Sequence, residues 1–297
     1  MELCLGTVQF GLDYGVFNTP KKDPQYCIEC LDYATQNGIH AIDTATAYGT
    51  AEEVTGEFLK KKTISREKLF ISTKFLPNIL DDYEEKDYRK IIKENLEKSL
   101  KTLNLDYVDA YFLHSSRYAF RTEILEALSH VQKDGLACKV GVSVYDPEEA
   151  LACYQSKYVN YIQAPYSIFD HRMQQAGVFE RKNMGDCSVD VRTAFIKGLI
   201  RLEIDQVPDY LAKSKPILLK LDEYCKRTGY SRIDLAIGYI KRQKNINHLV
   251  FGIRNLDQLK QDIASFNRTI SEDIFEDIDK DFANIDADIV VPSLWKK

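Results

Sequence analysis

The chain has 297 residues, 44% of them apolar and 29% charged, with a formal net charge of −5. A sizeable core is affordable at that composition, and the length is ordinary for an α/β barrel. Charges of both signs are spread along the chain, so the basic patch of a nucleic-acid binder is missing, and no apolar run approaches the length of a membrane span.

Residues 2–8 (E-L-C-L-G-T-V) read as a first strand, followed by a turn-rich loop with Gly6, Gly11 and Gly15. These glycines do not spell G-x-G-x-x-G, which argues against a Rossmann fold. No charged, apolar and small-residue series marks a signal peptide here. Together with seven scattered cysteines, odd in number, this predicts a cytoplasmic protein without a disulfide framework. Pro24 to Asn37 carries Ile28, Leu31 and Ala34 at helical spacing and closes at Gly38. Cys27 and Cys30 form a lone C-x-x-C inside it, with no second pair or histidines at matching spacing, so no metal is expected.

Next comes G-I-H-A-I-D-T-A-T-A-Y-G, residues 38–49. An apolar run, Ile39 to Ile42, breaks at Asp43, and Tyr48 follows in the loop. Glu52 and Glu53 open a helix at about 52–61, where a helix N-terminus favours negative charge. L-F-I-S-T-K (69–74) is a strand ending in Lys74. The acidic run Asp81, Asp82, Glu84, Glu85 and Asp87 reads as a solvated loop, and Tyr88 to Leu103 as a long amphipathic helix with Ile92, Leu96, Leu100 and Leu103 on one stripe. V-D-A-Y-F-L-H (108–114) is a strand ending in His114. Glu123 to Lys133 is helical, residues 138–143 form the fifth strand, and Pro147 starts a helix. Strands at 161–166, 189–194 and 248–253 follow, with helices at 216–227 and 231–243 before the last strand and at 255–266 and 271–282 after it.

Eight strands alternating with helices, and no linker-like break, predict a single (β/α)8 TIM barrel over residues 1–297. All strand C-termini of such a barrel lie on one face, so Asp43, Lys74, His114 and Tyr48 are expected to meet there.

These residues carry a resemblance. The chain is similar to the aldo-keto reductases over nearly its full length, through L-G-T-V-Q-F-G, G-I-H-A-I-D-T-A-T-A-Y-G, I-S-T-K, S-L-K-T-L-N-L-D-Y-V-D-A-Y-F-L-H, K-V-G-V-S and Y-I-Q-A-P-Y-S. The resemblance implies an NADPH-dependent oxidoreductase, with NADH as the other nucleotide, that reduces an aldehyde or ketone. It places the catalytic tetrad on Asp43, Tyr48, Lys74 and His114. Gly6, Thr7, Ser143, Gln163, Arg192, Thr193, Phe195, Gly252, Arg254, Gln258 and Asp262 fall at cofactor positions. The family's Asn after the serine is Val144 here, and Asp262 replaces a common Asn. At Arg192 the family often has an aromatic residue; a guanidinium plane can also stack on a ring, or close an internal salt bridge.

The chemistry agrees. Hydride transfer to a carbonyl creates a developing alkoxide that needs a proton donor. A free tyrosine is a poor acid at neutral pH. Lys74 is expected to lower the Tyr48 pKa, with Asp43 orienting Lys74 and His114 polarising the carbonyl. Two other readings compete: a Schiff-base aldolase using Lys74, and a non-catalytic barrel that binds nucleotide as a regulator. The substrate is left open. Phe10, Tyr14, Tyr118, Phe120 and Tyr210 are the expected loop residues around it. The opening L-G-T-V-Q-F-G-L-D-Y-G resembles a bacterial branch associated with surface-sugar metabolism, which implies a sugar-like carbonyl.

Overall fold

The computed structural model describes residues 1–296. Eight parallel strands pair in chain order: β1 (Glu2–Gly6), β2 (Ala41–Asp43), β3 (Phe70–Phe75), β4 (Val108–Leu113), β5 (Ala137–Ser143), β6 (Tyr161–Pro165), β7 (Ser188–Arg192) and β8 (His248–Gly252). β8 pairs with β1, closing the barrel, and helices cover its outside. The fold is the expected (β/α)8 barrel.

Element ends differ from the sequence reading by a few residues. β1 stops at Gly6, and Val8–Gly11 forms a helical turn where a loop was expected. The long helix starts at Glu85 instead of Tyr88, because Glu85 and Asp87 occupy its first turn, where the helix dipole favours them. Only the first part of the acidic run is therefore loop-like. Short helices at Arg172–Gln175, Arg181–Met184 and Ala287–Val290 had no sequence signal strong enough to be read. Ile92, Leu96, Leu100 and Leu103 are all buried, each contributing about 1.5–3 kcal/mol. Among the described residues, no helix is long and apolar enough to cross a membrane.

Strand periodicity decides which side chains enter the barrel. In β3, Thr73 points outward and donates to Glu52 in the helix Ala51–Lys60, at 2.6 Å. Its neighbours Ser72 and Lys74 point inward, and both reach Asp43. The interior is filled in layers. Phe112 packs on Tyr161 with ring centroids 5.3 Å apart, and Tyr161 donates to the buried Asp190, which also bonds His248 Nδ1 at 2.8 Å. Gly141 allows β5 to approach β6: a Cβ there would lie 1.8 Å from the Tyr161 carbonyl oxygen. Above these layers, each strand end delivers a residue to the C-terminal mouth.

Candidate active site

Asp43 is the last residue of β2 and the centre of the mouth. Its Oδ1 accepts from Ser72 Oγ and from Gln163 Nε2, both at 2.8 Å. Its Oδ2 accepts from Lys74 Nζ at 2.5 Å, and Lys74 also donates to the Thr44 carbonyl at 2.9 Å. Lys74 is 1% exposed. Tyr48 and His114 stand over this pair. Their rings meet edge to face with centroids 5.6 Å apart, and Lys74 Nζ is 5.1 Å from the Tyr48 ring centroid. The four residues expected to converge do so.

The electrostatics differ from expectation at Tyr48. Burial, and then the Asp43 carboxylate, push the phenol pKa up, against a lowering contribution from Arg192. Lys74 spends its charge on Asp43, so it does not leave Tyr48 with a depressed pKa. The phenol therefore keeps its proton throughout the neutral range. His114 moves the other way: burial first, then Lys74 and Arg192, lower its pKa to about 3. At neutral pH it is an uncharged imidazole, and its buried Nδ1 has no partner among the described residues.

The Tyr48 loop is pinned from three sides. Thr46 donates to the Lys74 carbonyl through its backbone N–H at 3.2 Å and its Oγ1 at 3.0 Å. Thr46 also bonds Ser99 at 3.0 Å, and Ser99 reaches the buried Glu52 at 3.3 Å. Burial raises the Glu52 pKa, with Thr73 and Ser99 opposing. From the third side, Gly11 rests directly on the loop: a Cβ there would lie 1.7 Å from the Tyr48 carbonyl oxygen. Gly11→Ala must therefore displace the Tyr48 loop or the turn carrying Gly11. Misplacement of about 1 Å can cost on the order of 100-fold in rate. The expected result is a kcat reduced by at least about tenfold, in a protein whose far-ultraviolet circular dichroism is unchanged. Wild-type kcat in this variant would show that the contact does not position Tyr48.

One cleft runs from this cluster across the barrel mouth. Of the residues that the resemblance puts at cofactor positions, Gly6, Ser143, Gln163, Arg192, Thr193, Phe195, Gly252, Arg254 and Gln258 line it. Gln163 Oε1 is buried without a hydrogen-bond partner among the described residues, while its Nε2 is fixed on Asp43. Arg192 Nε lies 3.3 Å from Ser143 Oγ, and its terminal nitrogens donate to Thr193 Oγ1 and the Val144 carbonyl. The guanidinium stacks on Tyr145, 4.4 Å from the ring centroid. The alternative of an internal salt bridge does not form among the described residues. Arg254 also has no carboxylate at ion-pair distance among them. Its terminal nitrogen would be 3.5 Å from a Cβ at Gly15 or at Gly198.

Two expected cofactor residues lie off the cleft wall. Thr7 is buried and donates to the Asp43 backbone carbonyl at 3.1 Å. Asp262 is fully buried and takes two hydrogen bonds from Arg201, at 2.6 and 2.8 Å. Arg201 faces the cleft in its place and stacks on Phe195, 4.2 Å from the ring centroid. Of the expected loop residues, Tyr14 lines the cleft, Phe10 and Tyr118 are buried, and Tyr210 bonds the Val16 carbonyl. Tyr145, Arg201, Pro292 and Ser293 are cleft residues the sequence reading missed. Tyr145 was findable, because it lies two residues beyond Ser143 and so on the same face. The loop after β7 holds Thr193, Ile196 and Lys197 at positive φ (69°, 46° and 53°). For a β-branched residue such as Ile196 that conformation is strained, and such strain concentrates at ligand sites.

Fold and cluster together define a barrel protein with an ionisable site at the C-terminal mouth. A model of the Aldo/keto reductase family matches residues 2–281, and the chain belongs to that family. It is accordingly an oxidoreductase of the carbonyl-reducing class, with NAD(P)H as the redox partner. It is 27% identical over 283 residues to the NADH-specific methylglyoxal reductase of Escherichia coli, covering 84% of this chain and 85% of that protein. An uncharacterised Bacillus subtilis oxidoreductase is 25% identical, over 83% of this chain and 84% of the relative. The solved structure of an aldo-keto reductase from Bacillus halodurans in its holo form superposes with a TM-score of 0.76 at 24% identity, covering 94% of this chain and 91% of that one.

Proposed function

We propose that this protein is a carbonyl reductase with Tyr48 as proton donor, that it prefers NADPH over NADH by a modest factor, and that its substrate is a small aldehyde or ketone. The observation carrying this reading is the convergence of Tyr48 and His114 above the Lys74–Asp43 pair, beside the unpartnered Gln163 Oε1. That orphaned acceptor and Ser143 Oγ suit a carboxamide, which offers both a donor and an acceptor. The nicotinamide supplies the hydride when bound. Tyr48, protonated at neutral pH, gives its proton to the carbonyl oxygen as charge develops there. Neutral His114 carries a single N–H and donates it to the same oxygen, polarising the carbonyl. Gln163 and Ser143 orient the carboxamide, and Asp43 ties Gln163, Ser72 and Lys74 into one rigid support.

The nucleotide preference rests on Arg254. It is half-buried, faces the cleft and lies just before the helix Leu256–Phe266, where helix dipole and guanidinium both favour a phosphate. Gln258 accepts the Arg254 backbone N–H at 2.9 Å, which fixes the turn. Asp262, whose repulsion would have opposed an anion, is neutralised by Arg201. One charge-assisted contact supports a preference of roughly tenfold, about 1.4 kcal/mol. The E. coli relative is named NADH-specific, so measurement has a definite alternative to decide against. Stopped-flow oxidation of NADPH and NADH against methylglyoxal, other aldehydes, ketones and keto-sugars tests the reading. Turnover with at least one carbonyl is expected, with NADPH favoured, and Arg254→Ala is expected to weaken NADPH binding while leaving NADH nearly untouched. No oxidation of either nucleotide by any carbonyl would defeat the reductase reading. Equal loss for both nucleotides would remove Arg254 from the 2′-phosphate.

A further inference from the structure

The cleft holds a guanidinium with no carboxylate at ion-pair distance among the described residues, beside the groups that suit a nicotinamide carboxamide. Arg192 Nε is 3.3 Å from Ser143 Oγ. Ser143 pairs in register with Gln163 across β5 and β6, and Arg192 with Pro165 across β6 and β7. The three side chains therefore occupy neighbouring strand ends. Arg192 is held there by the Val144 carbonyl at 2.8 Å, by Thr193 Oγ1 at 3.1 Å and by its stack on Tyr145. All three partners are uncharged, so the positive charge stays uncompensated. Its field reaches the site: Arg192 contributes to lowering the His114 pKa and opposes the rise at Tyr48. The two charges beneath Tyr48 and His114, Asp43 and Lys74, are spent on each other.

We infer that Arg192 makes the site select the redox state of its nucleotide, binding NAD(P)H more tightly than NAD(P)+. The inference rests on the carboxamide placement proposed above. The reduced ring is neutral and the oxidised ring carries one positive charge. The two forms share every phosphate, so phosphate contacts cancel in the comparison. A fixed guanidinium next to the ring repels the oxidised form and is indifferent to the charge of the reduced one. An aromatic residue in that place would do the reverse, since its π face attracts a cation. The chain thus discharges the spent nucleotide readily. By thermodynamic linkage it also stabilises bound NAD(P)H relative to bound NAD(P)+, so the gain lies in nucleotide exchange and not in driving force.

The test is equilibrium binding, with no turnover needed. Dissociation constants of NADPH and NADP+ are measured by calorimetry for wild type, Arg192→Met, Arg192→Lys and Gln163→Ala, with circular dichroism as the check on folding. Wild type is expected to bind NADPH on the order of tenfold more tightly than NADP+, a factor worth about 1.4 kcal/mol. Arg192→Met is expected to bring the two within about twofold, chiefly by strengthening NADP+ binding. Arg192→Lys keeps the charge and is expected to keep most of the ratio. If Arg192→Met and wild type show the same ratio while Gln163→Ala weakens both forms, the inference is overturned and the carboxamide placement stands. If Gln163→Ala binds both forms as wild type does, the placement itself fails, and the inference with it.

Discussion

Tyr48→Phe is expected to lower kcat by on the order of 100-fold or more while leaving nucleotide binding and melting temperature nearly unchanged. The hydroxyl makes no hydrogen bond to the described residues, although the ring packs edge to face on His114 and lies 5.1 Å from Lys74 Nζ. Phenylalanine keeps that ring and leaves no buried partner stranded, so the usual penalty for an orphaned polar group does not arise. What disappears is the proton. General acid catalysis by a positioned side chain is worth about 100- to 10,000-fold, and neither His114 nor Lys74 replaces it at neutral pH. His114 is deprotonated above about pH 3, and Lys74 is buried behind Asp43. Burial and Asp43 hold the Tyr48 pKa above its ordinary value, so the protonated form is complete at pH 7 and the activity should not fall through the neutral range. Steady-state kinetics with a saturating carbonyl, beside a thermal melt, check both halves. A variant keeping most of its kcat would remove Tyr48 from the donor role.

The barrel and the meeting of Asp43, Lys74 and His114 at its mouth were legible for the same reason. A parallel strand ends where its apolar run ends, and the first polar inward-facing residue after that run stands at the mouth. Asp43 and His114 follow this rule, and in β3 the inward positions after the apolar run are Ser72 and, two residues on, Lys74. The electrostatics of the mouth were less legible, because a sequence shows that Lys74 and Tyr48 are neighbours without showing that Asp43 absorbs the charge of Lys74. The Arg201–Asp262 pair joins residues 61 positions apart, from a loop after β7 to a helix after β8, and no periodicity links them. Read alone, Asp262 looked like a cofactor ligand, while in the fold it is the buried counter-ion of the residue that faces the cleft. The positive φ angles at Thr193, Ile196 and Lys197 were also silent, since none of these is a residue type that advertises a left-handed turn. Pro292 and Ser293 reach the cleft from the far end of the chain, a proximity that only the packed tertiary structure reveals.

Lys74→Met is expected to abolish measurable turnover and, unlike Tyr48→Phe, to destabilise the protein. Lys74 Nζ gives Asp43 a 2.5 Å contact inside the barrel mouth, and both side chains are nearly inaccessible to water. Removing one partner of a buried pair leaves the other charge desolvated and unmatched, at a cost of about 3–5 kcal/mol. Ser72 and Gln163 still donate to Asp43 Oδ1, which places the expected loss toward the lower end of that range. The Thr44 carbonyl loses its donor as well, loosening the start of the loop that carries Tyr48. The bare Asp43 carboxylate would then raise the Tyr48 pKa further, in the direction in which it already acts, and make the phenol a weaker acid. Two effects, structural and chemical, are therefore superimposed in the single variant. Asp43→Asn combined with Lys74→Met separates them, because neither partner then carries a charge. The double variant should recover most of the lost stability in urea unfolding, yet remain without turnover, since the Thr44 carbonyl still lacks its donor and the loop that carries Tyr48 stays loosened. A single variant as stable as wild type would refute the buried-pair account, and a double variant that recovers activity would show that the Lys74 ammonium is not required for catalysis.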